Sequence, residues 1–182
     1  EPFGSSAGKP PPTGLRAFSS VPAYIDNITY RIWEQKQVGL CHDYYSTDCA
    51  IYTLAGMTVG AEAVVANTIA TLSAFPDRTL FPENIVWDVD EEGHAVSSHL
   101  ISSHMTNLGP SEYGRATGRS ARIRVIAHCL IKDDVIVKEW LVRDNYHLAV
   151  QLGLDPEAVA RAWARTPLAP AHAEWLSAEF SR

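Results

Sequence analysis

Hydrophobic and polar positions divide the chain into helical stretches near its start, long β-prone runs through its middle, and helical pieces at its end. Over 24–40, Ile25, Ile28, Ile32 and Val38 recur with the spacing of an amphipathic helix, and Gly39 lies near its end. His42, Asp43, Tyr44 and Tyr45 then read as a turn, and 48–54 as a short strand. A second helix is predicted over 60–75, with Val65, Ile69 and Leu72 as its buried stripe and Pro76 as its stop. Strand-like runs follow at 85–89, 95–106, 121–131 and 135–142. Turns at Glu91-Glu92-Gly93 and Asp133-Asp134 separate them, with a Gly- and Pro-containing loop at 107–118. Asp155-Pro156 opens a further helix, Asp as cap and Pro at the first helical position. Pro167 and Pro170 break it, and a last helical piece carries Trp175, Leu176 and Phe180. Consecutive strands joined by short turns favour antiparallel pairing. Helices grouped beside them suit one face of a curved sheet, an α+β arrangement.

The stretch 135–153 carries the most chemistry. A strand pattern runs through Trp140 and Leu141, acquires Asp144 at its end, and turns into a short helix closing on Gln151-Leu152-Gly153. An acid at the lip of a buried strand is placed to handle protons, because a low-dielectric setting lifts a carboxyl pKa toward neutrality. The same residue is equally a helix N-cap. A hydratase or dehydratase would need a second acid, for which Asp43 and Glu139 are the nearby choices, neither compelling. Trp33, Tyr44, Tyr45, Trp87 and Trp140 offer aromatic walls for a flat ligand, or plain core packing. Among them Trp140 shares strand parity with Asp144.

Composition narrows the classes. Residues 1–22 form an arm containing Pro10-Pro11-Pro12, followed by a main domain at 23–153 and a helical extension at 154–182. A net charge of −6 argues against nucleic-acid binding and against a basic membrane-surface protein. No apolar run is long enough to span a membrane and no signal-peptide pattern is present. Three widely spaced cysteines favour a reducing compartment, so a cytoplasmic location is expected. His94 and His104 share a strand face but stand roughly 33 Å apart, too far to share an ion, while His99 points away. Local spacing does not support a site built from His42, His104 and His128, and no metal is expected. Walker, dinucleotide and serine-nucleophile motifs are lacking.

An ordered set of pieces resembles the SnoaL-like polyketide cyclases of the nuclear-transport-factor-2-like (NTF2-like) superfamily. They are Thr58-Val59-Gly60-Ala61-Glu62-Ala63-Val64, Phe75-Pro76-Asp77, Ser103-His104-Met105, Ala116-Thr117-Gly118-Arg119, and Trp140, Asp144 and Gln151-Leu152-Gly153. The resemblance spans about 25–153. It departs at Ser102-Ser103-His104 (commonly Gly-Thr-His), at Lys138 (often Glu) and at Asp133-Asp134, where a Gly usually follows the Asp.

The resemblance implies an NTF2-like cone: a strongly curved, mixed but mostly antiparallel β-sheet wrapped around N-terminal helices and enclosing a deep apolar pocket. It further implies cofactor-free acid/base chemistry, an intramolecular aldol cyclisation or an isomerisation, on a small hydrophobic, polyketide-like carbonyl compound. Asp144 matches the acid/base position. His128 would polarise the carbonyl or relay the proton, and His104 would sit at the pocket mouth, with Trp140, Trp87, Tyr44 and Trp33 lining it. The role of His128 depends on register. A plain two-residue turn at 133–134 sets it opposite Glu139, and a bulge returns it to the face of Trp140 and Asp144. A homodimer or higher homo-oligomer is expected, through the outer sheet face. The alternative is a non-catalytic small-molecule-binding or assembly module on the same fold.

Overall fold

In the computed structural model of the chain, residues 18–168 and 170–180 are described. The arm at 1–22 therefore falls outside them up to residue 17. Its last residues are not tail: the Ser20 hydroxyl accepts from the Ala23 backbone N–H and caps the first helix, and Val21 is buried.

The helix predicted over 24–40 is three pieces. α1 (Val21–Thr29) passes into a π-helical turn (Tyr30–Glu34), and a 3₁₀ turn (Val38–Leu40) leads into α2 (Cys41–Tyr44). The break falls at Lys36, whose φ of 59° no helix accommodates. β1 (Tyr45–Thr53) turns tightly into β2 (Gly56–Val59), a strand the sequence pattern did not reveal. α3 (Ala61–Ala74) follows. It buries Ala61, Val64, Thr68 and Ala74, whereas Ile69 of the expected stripe is exposed. β3 (Thr79–Val89), β4 (Ala95–Thr106), β5 (Ser120–Lys132) and β6 (Val135–Arg143) complete the sheet. α4 (Asn145–Gln151), α5 (Pro156–Trp163) and α6 (Pro170–Phe180) end the chain.

The sheet runs β2-β1-β6-β5-β4-β3, with every neighbouring pair antiparallel except β1 and β6. Its odd-numbered central positions look inward: Ser97, His99 and Ile101 on β4, and Val125, Ala127 and Cys129 on β5. Two apolar clusters cover that face. One joins α1 and Ile32 to Cys49, Ile51, Cys129, Ile131 and Ile136. The other joins Phe75, Leu80, Ile101, Met105, Val125 and the α4 residues Leu148 and Ala149. Trp33 and Leu141 pack against both.

The β5–β6 hairpin decides what looks into the seam between the clusters. Asp133 and Asp134 both take left-handed φ values, 47° and 67°, as a two-residue primed turn requires. Ile131 still pairs with Ile136, but Leu130 pairs with Lys138, so Val137 is an extra residue on β6. Beyond this bulge Cys129 faces Glu139 and His128 faces Trp140. A one-residue shift exchanges the faces of everything that follows it. Glu139, Leu141 and Arg143 thereby share the inner face with Cys129, Ala127 and Val125, their direct partners.

Candidate active site

The seam between the two clusters holds a cavity of about 380 Å³, within the size range of small-molecule sites. Its walls are mainly apolar, with Ile25, Ile28, Ile32, Leu80, Ile101 and Leu141 among them. Its ionisable side chains include Tyr45, Arg78, His99, Glu112, Glu139 and Arg143, and Thr29, Thr53, Thr58 and the α3 residues Asn67, Thr68 and Thr71 add neutral polar groups.

Glu139 is 6% exposed. Burial pushes its carboxyl up to about 7, although the nearby Arg143 charge and a hydrogen bond from Tyr45 both act to lower it. The Tyr45 hydroxyl donates to Glu139 Oε1 at 3.4 Å, and Cys129 Sγ lies 4.0 Å from the same oxygen. His99 is 1% exposed, and burial holds its imidazole down to about 4, so it is neutral at physiological pH. Its Nε2 lies 3.8 Å from Asp26 Oδ1, beyond hydrogen-bond reach, and neither ring nitrogen has a hydrogen-bond partner among the described residues. Burial likewise raises the Asp26 carboxyl. Across the three strands, Glu139 on β6 and His99 on β4 are separated by about 12 Å of sheet, from two strand spacings and two residues of offset. That gap suits a ring system lying between two side chains that both point inward.

Local sequence places each group. Arg78 follows the Phe75-Pro76-Asp77 stop of α3, and its Nε donates to Ser103 Oγ at 3.0 Å. Its guanidinium stacks over Trp33, 4.7 Å from the ring centre. The 107–118 loop that brings Glu112 and Tyr113 to the site is tied to α3, because Leu108 and Gly109 N–H groups both donate to the Ala74 carbonyl. Gly109 is required there, since a Cβ at that position would overlap the Ser73 carbonyl oxygen. Asn107 closes the loop from inside, its side chain bonding both Gly109 O and Thr117 N.

Of the residues singled out from sequence, Trp33, Tyr45 and the second-acid candidate Glu139 line the cavity, and the rest fall elsewhere. Asp144 does not look into the cavity. It caps α4, its Oδ1 accepting from the His147 N–H at 2.9 Å, and its side chain is 48% exposed. The bulge does set His128 on the face of Trp140, but that face is the outer one. There His128 meets the Trp140 ring edge-on at 5.4 Å and Trp140 stacks on Tyr52. Neither lines the cavity, and His128 is not paired with Glu139. His104 is also outward, against the Phe81 ring, with Nε2 3.4 Å from Ser102 Oγ. Trp87 is exposed on the edge strand β3 and Tyr44 is core, edge-on to Tyr24. Trp33 does line the cavity. The residues missed are Glu139 as the cavity carboxyl, together with His99, Arg78 and Arg143. The available signal for Glu139 was an acid in the interior of a mostly apolar strand.

Three acidic and histidine groups, Asp90, Glu92 and His94, converge at the β3–β4 turn. Their contacts are those of the turn itself, Asp90 Oδ1 accepting from the Glu92 and His94 N–H groups. No helix among the described residues is long and apolar enough to cross a membrane.

Solved structures share this architecture. TsrD from Streptomyces laurentii superposes with a TM-score of 0.62 at 19% identity, covering 73% of this chain and 94% of its own. IdmH from Streptomyces antibioticus gives 0.59 at 20% identity, covering 74% and 99%. A protein with a ketosteroid isomerase-like fold from Catenulispora acidiphila gives 0.60 at 8% identity, covering 76% and 98%. The fold is thus the curved, mostly antiparallel α+β arrangement of the ketosteroid isomerase and NTF2-like proteins. Among curated proteins no sequence matches this one. The family model of the SnoaL-like polyketide cyclases matches residues 24–152, from the buried face of α1 through the cap and body of α4, and the chain belongs to that family.

Proposed function

We propose that the protein is a cofactor-free acid/base enzyme that enolises a hydrophobic carbonyl compound inside the cavity, for aldol cyclisation or isomerisation, with Glu139 as the proton carrier. The observation that supports this most is a carboxyl in an apolar, ligand-sized cavity with its pKa brought to about 7. Family membership supports the same class of chemistry.

In this reading the Glu139 carboxylate removes a proton from the carbon next to a carbonyl. The developing enolate oxygen is held by the N–H of neutral His99. A neutral imidazole donates a hydrogen bond there without first having to lose a charge, and a dry site strengthens the contact. The enolate carbon then either bonds to a second carbonyl carbon of the same molecule, whose oxygen takes the proton from Glu139, or is reprotonated at another carbon. Tyr45 keeps the carboxyl oriented through its bond to Oε1.

The test needs no native substrate. Exchange of the α-protons of 2-tetralone, a two-ring ketone, is followed by NMR in D₂O. Wild type accelerates exchange, Glu139→Gln lowers the rate by about 10²–10⁴-fold, and Asp144→Asn leaves it unchanged. Exchange that survives Glu139→Gln removes Glu139 from the chemistry. Binding of the ketone with no catalysed exchange favours the non-catalytic binding module instead.

A further inference from the structure

We infer that Arg78 and Arg143 form an anion subsite at the Tyr113 side of the cavity, so that the substrate is a carbonyl compound bearing a carboxylate rather than a neutral ketone or ester. This rests on the reading of the cavity as a carbonyl-substrate site and names the class of substrate it takes.

Both arginines line the main cavity. Both also line a smaller adjoining hollow of about 20 Å³ with Thr71, Glu112, Tyr113 and Leu148. They therefore stand together where the two spaces meet. Arg78 is 4% exposed. Its Nε is used on Ser103, and its terminal nitrogens donate to no described residue. Arg143 reaches inward from the end of β6, and its Nε is buried without an acceptor among the described residues. Neither guanidinium has a carboxylate within 4.0 Å among those residues. Burial first, and then the like charge of Arg143, bring Arg78 down to about 9 against the opposing pull of Glu112.

A buried guanidinium beside a half-buried one of like charge, with neither in an ion pair among the described residues, is unfavourable in the empty protein. The stack on Trp33 relieves part of this for Arg78, and Arg143 makes no such stack among the described residues. A carboxylate seated between them would satisfy the free donors with charge-assisted hydrogen bonds, which guanidinium groups make in pairs. The acids in the neighbourhood are Glu112 and Glu139. Glu112 is exposed on its loop, and Glu139 holds its proton to about 7, so neither supplies a permanent buried counter-charge. A bound anion would also offset the Arg143 field that restrains the Glu139 carboxyl, leaving Glu139 a stronger base when substrate is present.

The experiment compares two ligands of nearly one shape, 2-naphthoate and 2-acetonaphthone, by calorimetry at pH 8. The full-length protein should bind the acid at least about tenfold more tightly than the ketone. Arg143→Met should remove that preference and Arg143→Lys should keep most of it. An acid bound no more tightly than the ketone, whatever the absolute affinities, overturns the proposal without any variant. A preference that persists in a folded Arg143→Met protein overturns it equally. Glu139→Gln should retain the preference, so failed exchange chemistry and a failed anion subsite give separate results.

Discussion

The inner and outer faces of the β5–β6 hairpin carry matched sets of groups with opposite fates. Outside, His128, Trp140 and Asp144 have the residue types of an acid/base site with an aromatic wall. There, however, the imidazole packs on the indole, the indole on Tyr52, and the carboxylate caps a helix. Inside, Cys129, Glu139 and Arg143 occupy the alternate positions of the same two strands and face the cavity. The chemical difference comes from solvent. Asp144 at the surface finds water and a backbone N–H, whereas Glu139 has lost its hydration and holds its proton to about 7. Residue type alone does not make a site; removal of water does.

The comparison can be broken at several strengths. The largest contrast is in exchange chemistry: Glu139→Gln should lower 2-tetralone exchange by about 10²–10⁴-fold while Asp144→Asn does not, as measured by NMR. Next is the dependence of stability on pH. Glu139 ionises near its ordinary 4.5 when unfolded and near 7 when folded. The folded chain therefore holds the extra proton between those values, and stability contributed by this group falls as pH rises from about 4.5 to about 7, then levels. The effect is on the order of 3 kcal/mol. Denaturation of Glu139→Gln should lack it, leaving the variant more stable than wild type at pH 8. On the outer face, Asp144→Ala should cost about 1 kcal/mol in urea denaturation, the worth of an N-cap, with no pH-dependent activity effect. Smallest of all, His128→Ala should change stability by less than about 0.5 kcal/mol, since it loses one edge contact on a partly solvated face.

Much of the fold was legible because its signals are local. The turn at Asp133-Asp134, the cap at Asp155, the stop at Pro76 and the long runs of β4 and β5 all lie near their predicted places. The 24–40 helix was over-extended because an apolar period does not register the π turn or the left-handed Lys36. The site was lost at one residue. In β6 both faces carry three apolar side chains, Val135, Val137 and Leu141 against Ile136, Trp140 and Val142, so alternation does not choose between them. An unbulged two-residue turn would have set Trp140 beside Ala127 on the inner face. The bulge at Val137 reverses this, and no Gly or Pro marks it in the sequence. His99 was read only against a metal site, as pointing away from His94 and His104; that it is on the inner face, and buried, was not visible in the sequence.

The claim that the proton-handling group is on the inner face is tested most directly by a ¹³C NMR titration of the Glu139 carboxyl carbon, assigned by comparison with Glu139→Gln. A midpoint near 7 is the predicted result. A midpoint at the ordinary value of 4.5 would show a hydrated carboxylate and contradict it.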